Sequence, residues 1–167
     1  MENTLGQRIL IDTNVLIFGL MPEMPNTDDE SPKVLYAHQQ SMNAREFLAK
    51  CHKELLEVCI SGISLSETME WLPDSDAYDM FNLISQLFTV LPFDAYAAFQ
   101  AGRLAYTLHK MDSQQIEQKS KVRNDLYILS TGLQCHCTDF YTTDKVLIKQ
   151  AERLAIPMKV HSLPAWE

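Results

Sequence analysis

The sequence predicts an α/β protein with a central, mostly parallel sheet of about five strands, and three observations carry that expectation. Short runs rich in Ile, Val and Leu alternate with segments of helical period, the pattern of βα units. Two of these runs stop abruptly at polar residues ending in aspartate, at Asp12 and at Asp144. The chain has 167 residues and is 46% apolar, which suits one real core and excludes a disordered chain.

The first strand, about residues 8–12, is the run Arg8-Ile9-Leu10-Ile11-Asp12. Thr13 and Asn14 open a short helix carrying Val15, Leu16 and Phe18, which Gly19 and Pro22 end. Residues 21–33 hold four acids and three prolines, an acidic loop with no regular structure. A helical region over 34–55 follows, which a break near Ser41 would divide, and then a strand at about 57–62. Ser64-Leu65-Ser66-Glu67 matches the capping box, so a helix is expected to start there and to stop at Pro73. Asp74 or Ser75 caps a helix of about 76–87, a short strand covers 89–91, and Asp94 caps a long amphipathic helix of about 95–110. Residues 112–120 read as a polar connection. A helix of about 121–133 carries Asp125. The remaining elements are a strand at about 137–142, a helix at 145–154 and a strand at about 158–162. No repeat or second core is evident, so residues 1–167 read as one domain.

Net charge is −8, and it is uneven: residues 1–100 hold 5 basic and 15 acidic residues, residues 101–167 hold 9 basic and 7 acidic. Binding a polyanion by charge alone calls for a basic protein, so any nucleic-acid substrate needs metal ions and a local basic patch. Lys119, Lys121 and Arg123 are the candidate patch, with a solvated helix end as the plainer explanation. No apolar run is long enough to span a bilayer, and the first eight residues lack the basic and apolar regions of a signal peptide, so the expectation is a cytoplasmic protein. Four cysteines agree. Cys59 sits in an apolar run and reads as a reduced core residue. Cys135-His136-Cys137 lacks the spacing of a zinc site and reads as the start of a strand.

Four acids stand out: Asp12, Glu67, Asp125 and Asp144. Carboxylates at strand ends and helix starts of an α/β sheet can converge on one edge, where such folds bind ligands. Gathered carboxylates repel one another and are stable mainly with a hard cation among them. Each acid also has a local explanation. Asp12 can form an Asx turn, Asp144 can cap the helix after it, and Glu67 can close the capping box with Ser64. Asp125 is harder to explain that way, because on a helical wheel it falls between Ile128 and Leu129, beside Gly132. A carboxylate among apolar neighbours needs a partner: a cation, or a salt bridge to Lys121 or Arg103.

The order of the four acids resembles that of the PIN domain (PilT N-terminus) nucleases, and the resemblance covers nearly the whole chain. Ile9-Leu10-Ile11-Asp12-Thr13-Asn14 is similar to the opening strand with its first metal-binding aspartate, and Ile63-Ser64-Leu65-Ser66-Glu67 to the second motif. Asp125-Leu126-Tyr127-Ile128 is similar to the third, and Tyr141-Thr142-Thr143-Asp144 to the fourth. The chain departs from the family at Val146 and Leu147, where a further acid and an aromatic are usual, and at Leu126 and Tyr127, where small residues are common.

The resemblance implies a Rossmann-like three-layer α/β/α sandwich and a Mg²⁺- or Mn²⁺-dependent ribonuclease. Asp12, Glu67, Asp125 and Asp144 would be its metal ligands, and Thr13, Asn14 and Thr142 would hold carboxylates and phosphate. The products would carry 5′-phosphate and 3′-hydroxyl ends. It further implies a VapC-like toxin, with an RNA substrate, an antitoxin partner and a homodimeric state. A PIN scaffold that binds RNA or protein without catalysis is the alternative. A phosphatase of the haloacid dehalogenase type would need a second aspartate where Asn14 stands.

Overall fold

Strand β1 (Arg8–Ile11) lies at the centre of the sheet, and its sequence says why: Ile9, Leu10 and Ile11 are all buried, as a parallel strand covered on both faces requires. The computed structural model describes residues 7–20, 31–111 and 119–165. Beyond β1 the elements are α1 (Thr13–Leu20), α2 (Pro32–Lys53), β2 (Glu57–Ser61), α3 (Gly62–Met69), α4 (Asp74–Leu87) and β3 (Thr89–Leu91). They continue with α5 (Ala95–Met111), α6 (Lys119–Gln134), β4 (Asp139–Thr142), α7 (Lys145–Leu154) and β5 (Lys159–Ser162). The five strands form one parallel sheet in the order β3-β2-β1-β4-β5. The chain thus leaves β1 first toward one edge and later toward the other, which makes the C-terminal ends of β1 and β4 a topological switch point.

Side chains alternate across the sheet, and two cores result. Leu10, Cys59, Leu91 and Phe140 pack with Leu108 of α5, Leu126 and Leu129 of α6, and Leu147 of α7. Ile9, Ile11 and Ile60 pack on the other face with Val15 and Leu16 of α1, Phe47 of α2 and Ile84 of α4. This is the three-layer α/β/α sandwich, and α3 bridges its layers: Ile63 joins the first core, Leu65 and Met69 the second. No helix among the described residues is long and apolar enough to cross a membrane.

Helix α6 lies close on β1 because residue 132 is glycine: a Cβ there would collide with Leu10 Cδ2 and stand 3.3 Å from Met158 Sδ. Gly132→Val is therefore expected to lower stability by about 1–3 kcal/mol, the usual cost of overpacking a tight core. Urea unfolding checks it, and an unchanged midpoint would mean that α6 has room to retreat.

Polar groups at the N-terminal edge of the sheet serve the fold. Arg8 donates from Nε and Nη2 to both oxygens of Glu57, at 2.8 and 2.9 Å, and from Nη1 to the Cys135 carbonyl at 2.9 Å. Those bonds hold the Glu57 carboxyl below its ordinary range. Asp139 is buried, which alone would raise its pKa. Hydrogen bonds from Thr138, Gln7 and His161 outweigh burial and hold it low.

Several expectations need correction. Gly19 does not end α1 but lies inside it, where a Cβ would collide with Leu48 of α2. Helix α2 begins at Pro32, inside the 21–33 segment, and runs unbroken past Ser41, whose hydroxyl donates to the Phe18 carbonyl at 2.9 Å. Residues 21–30 lie outside the described residues, as do 112–118 of the polar connection. The α3 cap is Ser61, three residues before the expected Ser64: its Oγ accepts from Ile63 N at 3.1 Å, and Ser64 is buried within the helix. Pro73, not Asp74 or Ser75, occupies the cap position of α4. Cys135-His136-Cys137 is a turn: α6 continues to Gln134 and His136 closes it at a φ of 58°. Cys59 is a free, buried core cysteine, as expected.

Candidate functional site at the C-terminal edge of the sheet

Asp12 joins β1 to α1. Its N–H donates to the Tyr141 carbonyl at 3.0 Å, extending the β1–β4 ladder by one bond, and its carbonyl accepts from Leu16 N at 3.0 Å, starting the helix. The side chain is 4% exposed. Its Oδ1 accepts from Thr13 N at 2.8 Å, and its Oδ2 from the Thr142 hydroxyl at 2.7 Å. Burial pushes its pKa up to about 6 from 3.8. Those two hydrogen bonds pull the other way, and the charges of Glu67 and Asp144 add to the rise.

Glu67 lies on the last turn of α3, half-buried. Its Oε2 accepts from the Thr13 hydroxyl at 2.5 Å and its Oε1 from Asn124 Nδ2 at 2.7 Å. Asp144 caps α7, its Oδ1 accepting from Val146 N at 2.7 Å and Leu147 N at 3.2 Å. Its own N–H donates to Thr142 Oγ1 at 3.0 Å. A hydrogen-bonded line therefore runs from Asn124 through Glu67, Thr13, Asp12 and Thr142 to the backbone of Asp144, tying α6, α3, α1, β4 and α7 together.

Thr13 and Thr142 each donate a hydroxyl to a carboxylate in this line, while Asn14 is exposed at the start of α1. Asp125 is half-buried on α6, next to Asn124. Arg123 is exposed on the same helix; the side chains of Lys119 and Lys121 lie outside the described residues. Asn124 was missed. Its one sequence signal is adjacency to Asp125, which no rule of pattern or capping picks out.

The donor chemistry fits a hard cation: every group is a carboxylate, hydroxyl or amide oxygen, and Asp12 is held in a field of like charge that a cation would relieve. Among the described residues no three acidic, histidine or cysteine side chains stand close enough to form a ready cation cage. Asp12 senses the charges of Glu67 and Asp144 from separate elements.

A parallel five-stranded sheet between helix layers is the fold that the PIN resemblance implies, and solved structures share that fold. The chain superposes on VapBC2 from Rickettsia felis bound to a DNA fragment from their promoter, with a TM-score of 0.60, 15% identity, and coverage of 95% of this chain and 100% of that one. It superposes equally on DNA-bound VapBC from Salmonella typhimurium (TM-score 0.60, 16% identity, 95% and 99% covered). VapBC-1 from nontypeable Haemophilus influenzae gives a TM-score of 0.61 at 16% identity, with 94% and 98% covered. The fold is therefore the one these VapBC structures contain. No family model and no curated protein matches the sequence.

Proposed function

We propose that the protein is a divalent-metal-dependent ribonuclease that hydrolyses RNA phosphodiester bonds, and that it is the toxin of a type II toxin–antitoxin pair. The observation that carries this reading is the hydrogen-bonded line that fixes Asp12 and Glu67 at the switch point, with Asp125 and Asp144 on the flanking helices. Superposition on VapBC chains supports the toxin part.

In this reading Asp12, Glu67, Asp125 and Asp144 hold Mg²⁺ or Mn²⁺, which when bound polarises a phosphoryl oxygen and makes water a stronger acid. Thr142 fixes one edge of the Asp12 carboxylate, and Thr13 and Asn124 fix the rotamer of Glu67. Each Glu67 oxygen keeps a lone pair beyond those bonds, so Glu67 can orient the attacking water and accept its proton. Lys119, Lys121 and Arg123 contact substrate phosphates. The acidic first hundred residues suit a basic antitoxin segment, and the active form is a homodimer in the cytoplasm.

Incubation of total RNA with the purified protein tests the proposal. Cleavage is expected with Mg²⁺ or Mn²⁺ and none with EDTA, with 5′-phosphate product ends. No cleavage under any metal, with RNA or a partner still bound, would instead establish the non-catalytic scaffold, which the open spacing of the acids favours.

Asn124→Ala is expected to weaken Mn²⁺ binding about 10–100-fold, the usual cost of losing a group that orients a ligand. Asn124→Asp is expected to be worse in the metal-free protein, because it sets a second carboxylate against Glu67. Mn²⁺ titration followed by electron paramagnetic resonance checks the first, and urea unfolding in EDTA the second. Wild-type affinity in Asn124→Ala would show that Glu67 needs no support.

A further inference from the structure

A groove of about 330 Å³ opens beside Asp144, between α1, the start of α2 and the first turn of α7. Its walls carry two aromatic rings, Phe18 and Tyr36, the amide of Asn14, the hydroxyl of Thr143 and the ammonium of Lys145. Tyr36 is 54% exposed, so it contributes little to the core. An open groove with a solvent-facing ring, an amide and an amine on its walls has the chemistry that receives a base, its edge and a phosphate.

We infer that this groove holds one unpaired ribonucleotide next to the scissile phosphate, its base against Tyr36 and its phosphate at Lys145. The inference rests on the ribonuclease reading and names the substrate feature which that site would select. Asp144 lines the groove and adds its charge to that felt by Asp12, so a nucleotide seated there is continuous with the acids. The volume lies at the low end of the roughly 300–1,000 Å³ of small-molecule sites, room for one splayed nucleotide and not for a duplex. Asn14 supplies both a donor and an acceptor to a base edge. In a chain of net charge −8, Lys145 is the cation on this wall that offsets the repulsion of a polyanion.

The test uses the protein with Ca²⁺, a hard cation suited to oxygen ligands, under conditions where the RNA is left uncut, and a short fluorescently labelled single-stranded RNA. Anisotropy is measured for the RNA and for versions with an abasic ribose at each position in turn. Wild type is expected to lose at least about fivefold in affinity at one abasic position, the low end of what base–aromatic stacking contributes. Tyr36→Ala should lose the same factor on the intact RNA and no longer distinguish base from abasic there, while Tyr36→Phe behaves as wild type. Lys145→Gln should weaken intact and abasic RNA alike and lower the salt slope by about one. Both side chains are exposed, so melting temperatures should not change. If RNA binds but no abasic position matters, or if Tyr36→Ala keeps the base dependence, the subsite is overturned and the ribonuclease reading stands. If RNA is cut with Mn²⁺ but does not bind with Ca²⁺, the subsite falls and the ribonuclease reading stands; if it neither binds nor is cut, both fall.

Discussion

Asp12→Asn is expected to abolish RNA cleavage and, in the metal-free protein, to raise stability at neutral pH. The loss of activity should exceed the about 10–100-fold typical of outer-shell changes, because Asp12 is proposed to contact the metal itself. The gain in stability follows from its pKa. Burial raises the folded-state value to about 6 from 3.8, so the stability tied to the protonated carboxyl is complete below pH 3.8 and is lost as pH rises through about 6. Above that pH the buried charge costs on the order of 3 kcal/mol. The neutral amide that Asp12→Asn introduces would avoid this cost, less whatever is lost when the Thr142 hydroxyl must accept a bond where it now donates. The stabilisation should fall to roughly two-thirds of its full size at pH 5.5. Urea unfolding of both proteins at pH 7.5 and 5.5, in EDTA, measures it. A variant that still cuts RNA, or one no more stable than wild type at pH 7.5, would remove Asp12 from the site.

Divalent metal should do for the wild type what the substitution does for the variant. Mn²⁺ or Mg²⁺ at a hundred times its dissociation constant should stabilise the folded state by about 2.7 kcal/mol, if the unfolded chain does not bind it. The gain should fade below about pH 6, where protons compete for Asp12. It should be absent in Asp12→Asn. Thermal unfolding with and without millimolar metal reads all three outcomes. No metal-dependent shift in wild type at pH 7.5 would mean that the acids do not share a cation.

Much of this architecture was legible in the chain because apolar runs and their polar stops are local signals. Ile9 to Ile11 read as a buried strand because the apolar run stops abruptly at polar residues, and Asp144 was readable as a cap because α7 starts beside it. Where two local signals competed, the sequence could not choose between them. Ser61 and Ser64 each suit a helix start. Ser61 prevails because β2 ends there and leaves its backbone extended, at φ −75° and ψ 147°, so that its hydroxyl reaches Ile63 N. Cys135-His136-Cys137 misled because helices usually end in a left-handed glycine, and here His136 takes that conformation. Gly19 was read as a helix stop by the same convention, although its purpose is the approach of α1 to α2. Asn124 was not legible at all. Its bond to Glu67 spans 57 positions, and no local pattern encodes a contact of that reach.

The reach of those bonds also sets when the site can exist. Thr142 meets Asp12 across 130 positions of chain, and Thr13 meets Glu67 across 54. The central strand receives its second neighbour, β4, only after residues 139–142 have been synthesised. Long-range parallel pairing is slow to form, since the loop must close before any contact rewards it. A nascent chain shorter than 142 residues has no hydroxyl to hold Asp12 and no Asp144 beside it. The constellation is therefore complete only once the chain extends past residue 144, and fragments truncated before that point should be inert.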